Sequence, residues 1–217
     1  MKESIKIKEI KEIYLILKDK INKRLNEFRR IWEDADEEIV FAELIFCLLT
    51  PQSKAKLCWK AVENLKRKNL LMNGNLIEIV NELNKIRFKN RKALYIIQAR
   101  NQFSTNGKIS TKELLRKLSD PQRAREWLVK NVKGIGYKEA SHFLRNVGLS
   151  ENLAILDRHI LKNLKSLGVI NNIPKSLSKK QYIEIERKMI ELSREISIPL
   201  NSLDLIFWYK ETGEIFK

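Results

Sequence analysis

Cysteine is nearly missing from this 217-residue chain, which has only Cys47 and Cys58. Two thiols in apolar stretches make neither a disulfide framework nor a four-ligand metal set, and they suit a reducing, intracellular setting. Turn formers are also few, with 7 Gly and 4 Pro, which argues against collagen-like, loop-rich and multi-stranded β designs. No apolar run approaches the roughly 18–20 residues needed to span a bilayer. The opening Met1-Lys2-Glu3-Ser4-Ile5-Lys6 lacks the apolar core of a signal peptide. Acid is in deficit: 27 Asp and Glu face 43 Lys and Arg, a formal charge of +16. Such an excess does not specify a fold. It predicts attraction to polyanions, because neutralising phosphates releases condensed counterions. With no membrane segment, nucleic acid is the leading partner, and the expected location is inside the cell with the genome.

The remainder is ordinary for a folded protein. Hydrophobic residues make up 43% and charged residues 32%, enough for one or two domains with a real core. Nearly every segment carries helical periodicity. Ile10, Ile13, Leu17, Ile21, Leu25 and Phe28 mark a long amphipathic first helix. The apolar stretch Ile39–Leu49 predicts a buried helix that stops at Thr50-Pro51, the residue before proline being pushed out of the α region. Ser53 is a candidate cap for a helix running to about Lys68. Eight more helices are predicted at Asn75–Asn84, Asn90–Phe103, Thr111–Leu118, Pro121–Val132, Tyr137–Val147, Arg158–Leu167, Lys179–Ile196 and Leu200–Lys210. No alternating strand is evident, and Ser104–Ser110 reads as the main loop-like break. The expectation is an all-α unit over 1–217 of two helical lobes: approximately 32–105, then 106–217 with the hairpin and catalytic helices, residues 1–31 and the C-terminal helices belonging to either.

The most informative stretch is Val132-Lys133-Gly134-Ile135-Gly136-Tyr137-Lys138-Glu139, between two predicted helices. Glycines permit positive φ and let the backbone approach a phosphate, and the free N–H groups of the following helix point at the same anion. This is the design of a helix-hairpin-helix, in which Gly134, Gly136 and Tyr137 grip a DNA backbone; the plain alternative is an ordinary turn between helices. Lys138 falls in the first turn of the second helix. A helix N-terminus disfavours a cation, which suits a lysine acting as a free amine nucleophile; the plain alternative is a solvated lysine facing DNA. Farther on, in Ala154-Ile155-Leu156-Asp157-Arg158-His159, Asp157 is placed to cap a helix. A carboxylate held by helix N–H groups stays ionised and can stabilise positive charge developing on a sugar. His159 reads as structural.

Gly134-Ile135-Gly136-Tyr137-Lys138 followed by Leu156-Asp157-Arg158-His159 resembles the helix-hairpin-helix DNA glycosylase superfamily of endonuclease III and the 8-oxoguanine glycosylases. With Leu48-Leu49-Thr50-Pro51-Gln52-Ser53 and the terminal Phe216-Lys217, the whole chain looks most like the compact, mainly archaeal second type of 8-oxoguanine DNA glycosylase/AP lyase. The resemblance implies a two-lobed all-α fold with the active-site cleft between the lobes, Lys138 as Schiff-base nucleophile and Asp157 as catalytic carboxylate. Two features depart from the pattern: Lys133 stands where many members have proline, and the loop before Asp157 is not rich in glycine and proline. No cysteine follows Cys58, so the iron–sulfur cluster usual in the endonuclease III group cannot form.

The implied reaction flips the damaged nucleotide out of double-stranded DNA, displaces the base and then cleaves the strand by β-elimination. Gln52 matches the position at which relatives push a glutamine into the duplex, and Arg87 or Phe88 is a candidate wedge from the other side. For Phe88 a core position is the equal alternative. The pocket must offer an acceptor to the N7 hydrogen of oxidised guanine, and a main-chain carbonyl near Pro51–Ser53 is one candidate. The resemblance suggests the terminal carboxylate of Lys217 as another, with Trp208 beside the base and Asp204 as a further lining residue; otherwise Trp208 is core and Phe216 an anchor. No cofactor or side-chain metal site is required, although a monovalent cation on the hairpin main chain fits the pattern. A monomer acting on duplexes with oxidised guanine is expected. The rivals are an oxidised-pyrimidine glycosylase of the endonuclease III kind and a non-catalytic DNA-binding protein.

Overall fold

The computed structural model describes residues 5–118 and 120–217; Met1–Ser4, part of the stretch read for a leader, lie outside them. The long first helix, α1 (Ile5–Asp34), buries Ile10, Ile21, Leu25 and Phe28 along one stripe. Helix α2 (Glu37–Leu49) starts where Asp36 accepts a hydrogen bond from Ile39 N at 2.8 Å, and it is buried throughout Val40–Leu49. Thr50 keeps α-helical angles despite preceding proline. The helix stops there because Pro51 has no N–H to extend the ladder, and the Cys47 carbonyl accepts instead from Thr50 N and Oγ1, at 3.3 and 2.8 Å.

Helix α3 (Ala55–Arg67) is preceded by Lys54 with no side-chain cap, so Ser53 is not the expected N-cap. After the short α4 (Leu70–Asn73), absent from the sequence reading, come α5 (Leu76–Glu82) and α6 (Lys89–Gln102). The predicted loop at Ser104–Ser110 contains a small antiparallel sheet, β1 (Ser104–Thr105) with β2 (Lys108–Ile109). Asn106 and Gly107 both have positive φ there, 52° and 74°, as a two-residue hairpin turn demands. Helices α7 (Thr111–Arg116), α8 (Pro121–Asn131), α9 (Tyr137–Asn146), α10 (Arg158–Ser166), α11 (Lys179–Glu195) and α12 (Leu200–Thr212) complete an all-α architecture of twelve helices among the described residues, α4 being the one not expected. Asp120 caps α8 by accepting from Gln122 N and Arg123 N, with Pro121 in the first turn, as the Asp-Pro pair predicts.

Buried side chains form two cores. One spans Val40 to Leu153 and includes Phe41, Phe46, Phe103 and Phe143; the other joins α1 to residues 154–215 through Phe28, Met189, Leu203 and Phe207. The apolar boundary therefore falls between Leu153 and Ala154, whereas the approximate lobe boundary read from the sequence lay at 105/106. The hairpin helices α8 and α9 bury their apolar faces in the first core, with Leu128, Phe143 and Leu144 inaccessible to solvent. Each such side chain contributes about 1.5–3 kcal/mol. No described helix is long and apolar enough to cross a membrane.

Candidate active site

The turn between α8 and α9 is closed by Gly134, with φ +86°. A Cβ at this position would lie 2.4 Å from the Tyr95 ring, so the turn seats directly on α6. Gly136 has no such requirement, its backbone being extended at φ −101°. Its N–H donates to Glu139 Oε2 at 3.2 Å, which removes one of the donors expected to face a phosphate. The N–H groups of Tyr137 and Lys138 come next, in the first turn of α9, where no intrahelical partner exists. The Tyr137 side chain turns away into packing: its hydroxyl donates to the Glu126 carboxylate, and its ring lies 5.4 Å from that of Tyr182.

A cavity of about 1460 Å³ opens between the two cores. Lys138 and Asp157 both line it, from α9 and from the start of α10. Lys138 Nζ donates to Thr50 Oγ1 at 3.3 Å and stands 3.7 Å from Glu139 Oε1. Asp157 Oδ1 accepts from Ile160 N at 2.9 Å, the expected helix cap. The two residues brought together by the motif are thus a part-buried amine in contact with a hydroxyl and a carboxylate fixed by a helix N-terminus.

Pro51, Gln52 and Ser53 line the same cavity. Gln52 is exposed and holds a left-handed φ of 55°, a conformation costly for a non-glycine residue. The turn is held from beneath by Lys92, whose Nζ donates to Leu49 O and Pro51 O at 2.7 Å each and to Ser53 Oγ at 3.2 Å. Ser53 Oγ also accepts from Arg87 N at 3.1 Å, joining the Gln52 turn to the Arg87-Phe88 turn. Phe88 is 52% exposed, which removes the core alternative, and the Arg87 guanidinium lies 5.1 Å from its ring centroid. Neither Arg87 nor Phe88 lines the cavity.

Trp208, Asp204 and Lys217 form its far end. Trp208 is only partly buried, its ring edge-on to His159 at 5.1 Å. His159, read as structural and without a partner, is a lining residue with Glu211 Oε2 3.6 Å away. Asp204 is buried beside Arg145, at 3.5 Å. Burial pushes its carboxyl up to about 6; Asp157 adds to the rise, while Arg145 and Lys138 oppose it. His142 is buried in the wall. Burial first, then Lys138 and Arg145, holds its imidazole well below the ordinary range, while a main-chain oxygen of Lys217 pulls the other way. The Lys217 ammonium pairs with buried Glu43 and sits 3.3 Å from the centroid of the Trp59 ring; Phe216 packs edge-on against Phe46.

Sequence reasoning missed Glu43, His142 and Arg145, and it makes Lys92 a generic phosphate contact, which its burial beneath the Gln52 turn overturns. Glu43 carried a legible signal as the one charge inside the Ile39–Leu49 apolar run. Lys92 carried a weaker one, since it lies on the helix stripe of Ile96 and Ala99. The partners of both come from distant segments.

Comparison with known proteins finds relatives along the whole chain. The sequence model of a family described as 8-oxoguanine DNA glycosylase matches residues 21–198. An 8-oxoguanine DNA glycosylase/AP lyase of Fusobacterium nucleatum is 48% identical over 217 residues, all of both chains. One from Methanocaldococcus jannaschii is 40% identical and covers 98% of each. Among solved structures, the 8-oxoguanine DNA glycosylase of Thermotoga maritima superimposes with a TM-score of 0.87 at 36% identity, covering 97% of this chain and 98% of that one. The M. jannaschii enzyme in complex with a 15mer DNA containing 8-oxoguanine gives 0.88 at 37% identity, with 97% and 99% covered.

Proposed function

This chain belongs to the 8-oxoguanine DNA glycosylase family, and from that premise we propose how its own residues excise 8-oxoguanine from DNA and then cleave the strand. The observation that carries the reading is the meeting of Lys138 and Asp157 on one cavity between the two cores. The flipped nucleotide enters that cavity, and the Lys138 amine attacks C1′ of the deoxyribose. The bond to the base breaks, and the proton lost from nitrogen neutralises the departing base. Asp157 stabilises the positive charge that develops on the sugar, held ready by its bond to Ile160 N. The sugar opens to an imine on Lys138, which acidifies C2′; loss of that proton to solvent expels the 3′ phosphate. Water then hydrolyses the imine, freeing the Lys138 amine and releasing the sugar fragment as an aldehyde.

Around this centre the other lining residues take supporting roles. The first turn of α9 and Gly134 hold the DNA backbone through main-chain donors. Gln52 and the exposed Phe88, with Arg87 over its ring, occupy the duplex side and fill the space the nucleotide leaves. Trp208 flanks the base, and Ser53, Asp204 and the main-chain end of Lys217 border its edge, the lysine side chain serving as an anchor in the Glu43–Trp59 slot. The excess charge of +16 supplies the sequence-independent attraction to duplex. Relatives spanning the full chain support oxidised guanine over the oxidised-pyrimidine and non-catalytic readings.

Borohydride trapping tests the assignment. The wild-type chain should become covalently linked to a duplex containing 8-oxoguanine, whereas Lys138→Gln should bind that duplex, form no adduct and leave the strand intact. Strand cleavage at the wild-type rate by Lys138→Gln would reject Lys138 as the nucleophile.

A further inference from the structure

Residues 149–156 contain no proline to stiffen the approach to Asp157, yet it delivers a carboxylate to a defined place. Its main chain is held by side chains from α11. Tyr182 Oη donates to Ala154 O at 2.6 Å and accepts from Leu156 N at 3.2 Å. Glu186 Oε2 accepts from Ala154 N at 2.8 Å. In an extended chain the N–H and C=O of one residue and the N–H of the residue two further on project from the same edge. Those are the three groups engaged, so Tyr182 and Glu186 stand in for a neighbouring strand. They can do so because four residues separate them, which places both on one face of α11.

The clamp is itself fixed. Arg125 of α8 grips Glu186 with both terminal nitrogens, at 2.6 and 2.9 Å, and the pair is buried, its side chains 2% and 7% exposed. The guanidinium also lies 5.5 and 5.7 Å from the ring centroids of Tyr137 and Tyr182. Tyr137 opens the helix that carries Lys138, so one buried group contacts both the start of α9 and the residues that hold the approach to Asp157. The chain turns at Leu156, Asp157 N donating to Ile155 O at 2.8 Å, and Asp157 then caps α10.

We propose that Tyr182 and Glu186 are positioning residues for Asp157, locking residues 154–156 as a surrogate strand so that the carboxylate meets the sugar without reorganisation. The inference rests on the reading of Asp157 as the carboxylate that stabilises the sugar cation. Burial pushes the Tyr182 phenol above its ordinary range, so it remains a donor throughout the working pH.

Tyr182→Phe keeps the ring and removes the hydroxyl. Single-turnover excision of 8-oxoguanine by the full chain should fall about tenfold to a hundredfold, with affinity for the lesion duplex held within about twofold. In an Asp157→Asn background the same substitution should change the rate less than about twofold, since nothing is left to position. A merely structural role predicts instead a lowered melting temperature with equal rate losses in both backgrounds, and that result overturns the inference. So does a wild-type rate for Tyr182→Phe while Asp157→Asn is slow, an outcome that leaves Asp157 its role. Wild-type excision by Asp157→Asn would overturn the underlying reading, and the inference with it. Should Tyr182→Phe not fold, Glu186→Ala, which removes the acceptor for Ala154 N, runs the same cycle with the same expected and overturning results.

Discussion

On one wall of the cavity, the main chain of residues 154–156 is held against α11 by a phenol and a carboxylate; on the other, the Leu49–Ser53 turn closes around the ammonium of Lys92. The chemistry of each clamp follows from what the loop presents. An extended segment offers donors and acceptors in alternation, so its holder must both give and accept hydrogen bonds. The turn after α2 offers two carbonyls and a hydroxyl, and a lysine has three donors and no acceptor. Residues 154–156 lend no side chain to their clamp, whereas the Leu49–Ser53 turn adds the hydroxyls of Thr50 and Ser53 to its own. Ala154, Ile155 and Leu156 are therefore free to be apolar and bury in the core, and Gln52 is free to remain exposed at a left-handed φ of 55°. In the proposed reaction the first wall fixes a reacting group and the second fixes groups that meet the duplex.

Lys92→Met is the sharpest way to break that contrast and carries the largest expected effect. It leaves the Pro51 carbonyl without its donor and the Leu49 carbonyl with only the Cys58 thiol, while Ser53 Oγ keeps Arg87 N, a loss of about 3 kcal/mol in urea unfolding. The Gln52 turn should then act mainly through binding: affinity for the lesion duplex should drop about tenfold or more, with a smaller change in the rate at saturation. A Lys92→Met chain that binds normally and reacts slowly would show that both walls act on the chemical step, and the comparison would fail. Gly134→Ala probes the hairpin seated against the Lys92 helix. A Cβ at φ +86° is strained and would collide with the Tyr95 ring at 2.4 Å, so thermal or urea unfolding should report a loss of about 2 kcal/mol. Adding Tyr95→Ala should relieve the collision but not the backbone strain, giving a partial recovery; full recovery would mean that the dihedral costs nothing.

How far each wall was legible from sequence depends on the range of the contacts. The helices follow from local periodicity, and the Asp120-Pro121 start and the Gly134 turn from single-residue geometry, so these appear where the sequence placed them. The Lys138–Asp157 pairing rested on a motif, which marks the residues but not what steadies them. Tyr182 and Glu186 looked like parts of an amphipathic helix. The available signal was Glu186 lying on the buried stripe of Tyr182, Ile185 and Met189, where an acid is out of place without partners. Those partners, Arg125 and Ala154, are far away in sequence, and no local rule supplies them. Gly136 shows the opposite failure: a recognisable glycine was assigned an outward donor that Glu139, three residues later, takes for itself.

The smallest predicted effect is confined to a pH window and concerns the junction of the walls, where Asp204 of α12 meets Arg145 of α9. Burial raises the Asp204 carboxyl from an ordinary 3.8 to about 6. Between those values the folded chain keeps a proton that the unfolded chain has released. The contribution of Asp204 to stability is therefore greatest at the acid end of the window and declines as the pH rises through it, flattening above about 6. Asp204→Asn has no proton to lose there. Relative to that variant the wild-type chain should lose about 2 kcal/mol between the two ends of the window, measured by chemical unfolding at each pH. A carboxylate whose ion pair outweighed its burial would give the reverse slope, the wild type gaining on the variant as acid is removed. That result would make the Arg145–Asp204 contact a fastening between the two cores, whereas the predicted slope makes it a buried acid held in place by the packing around it.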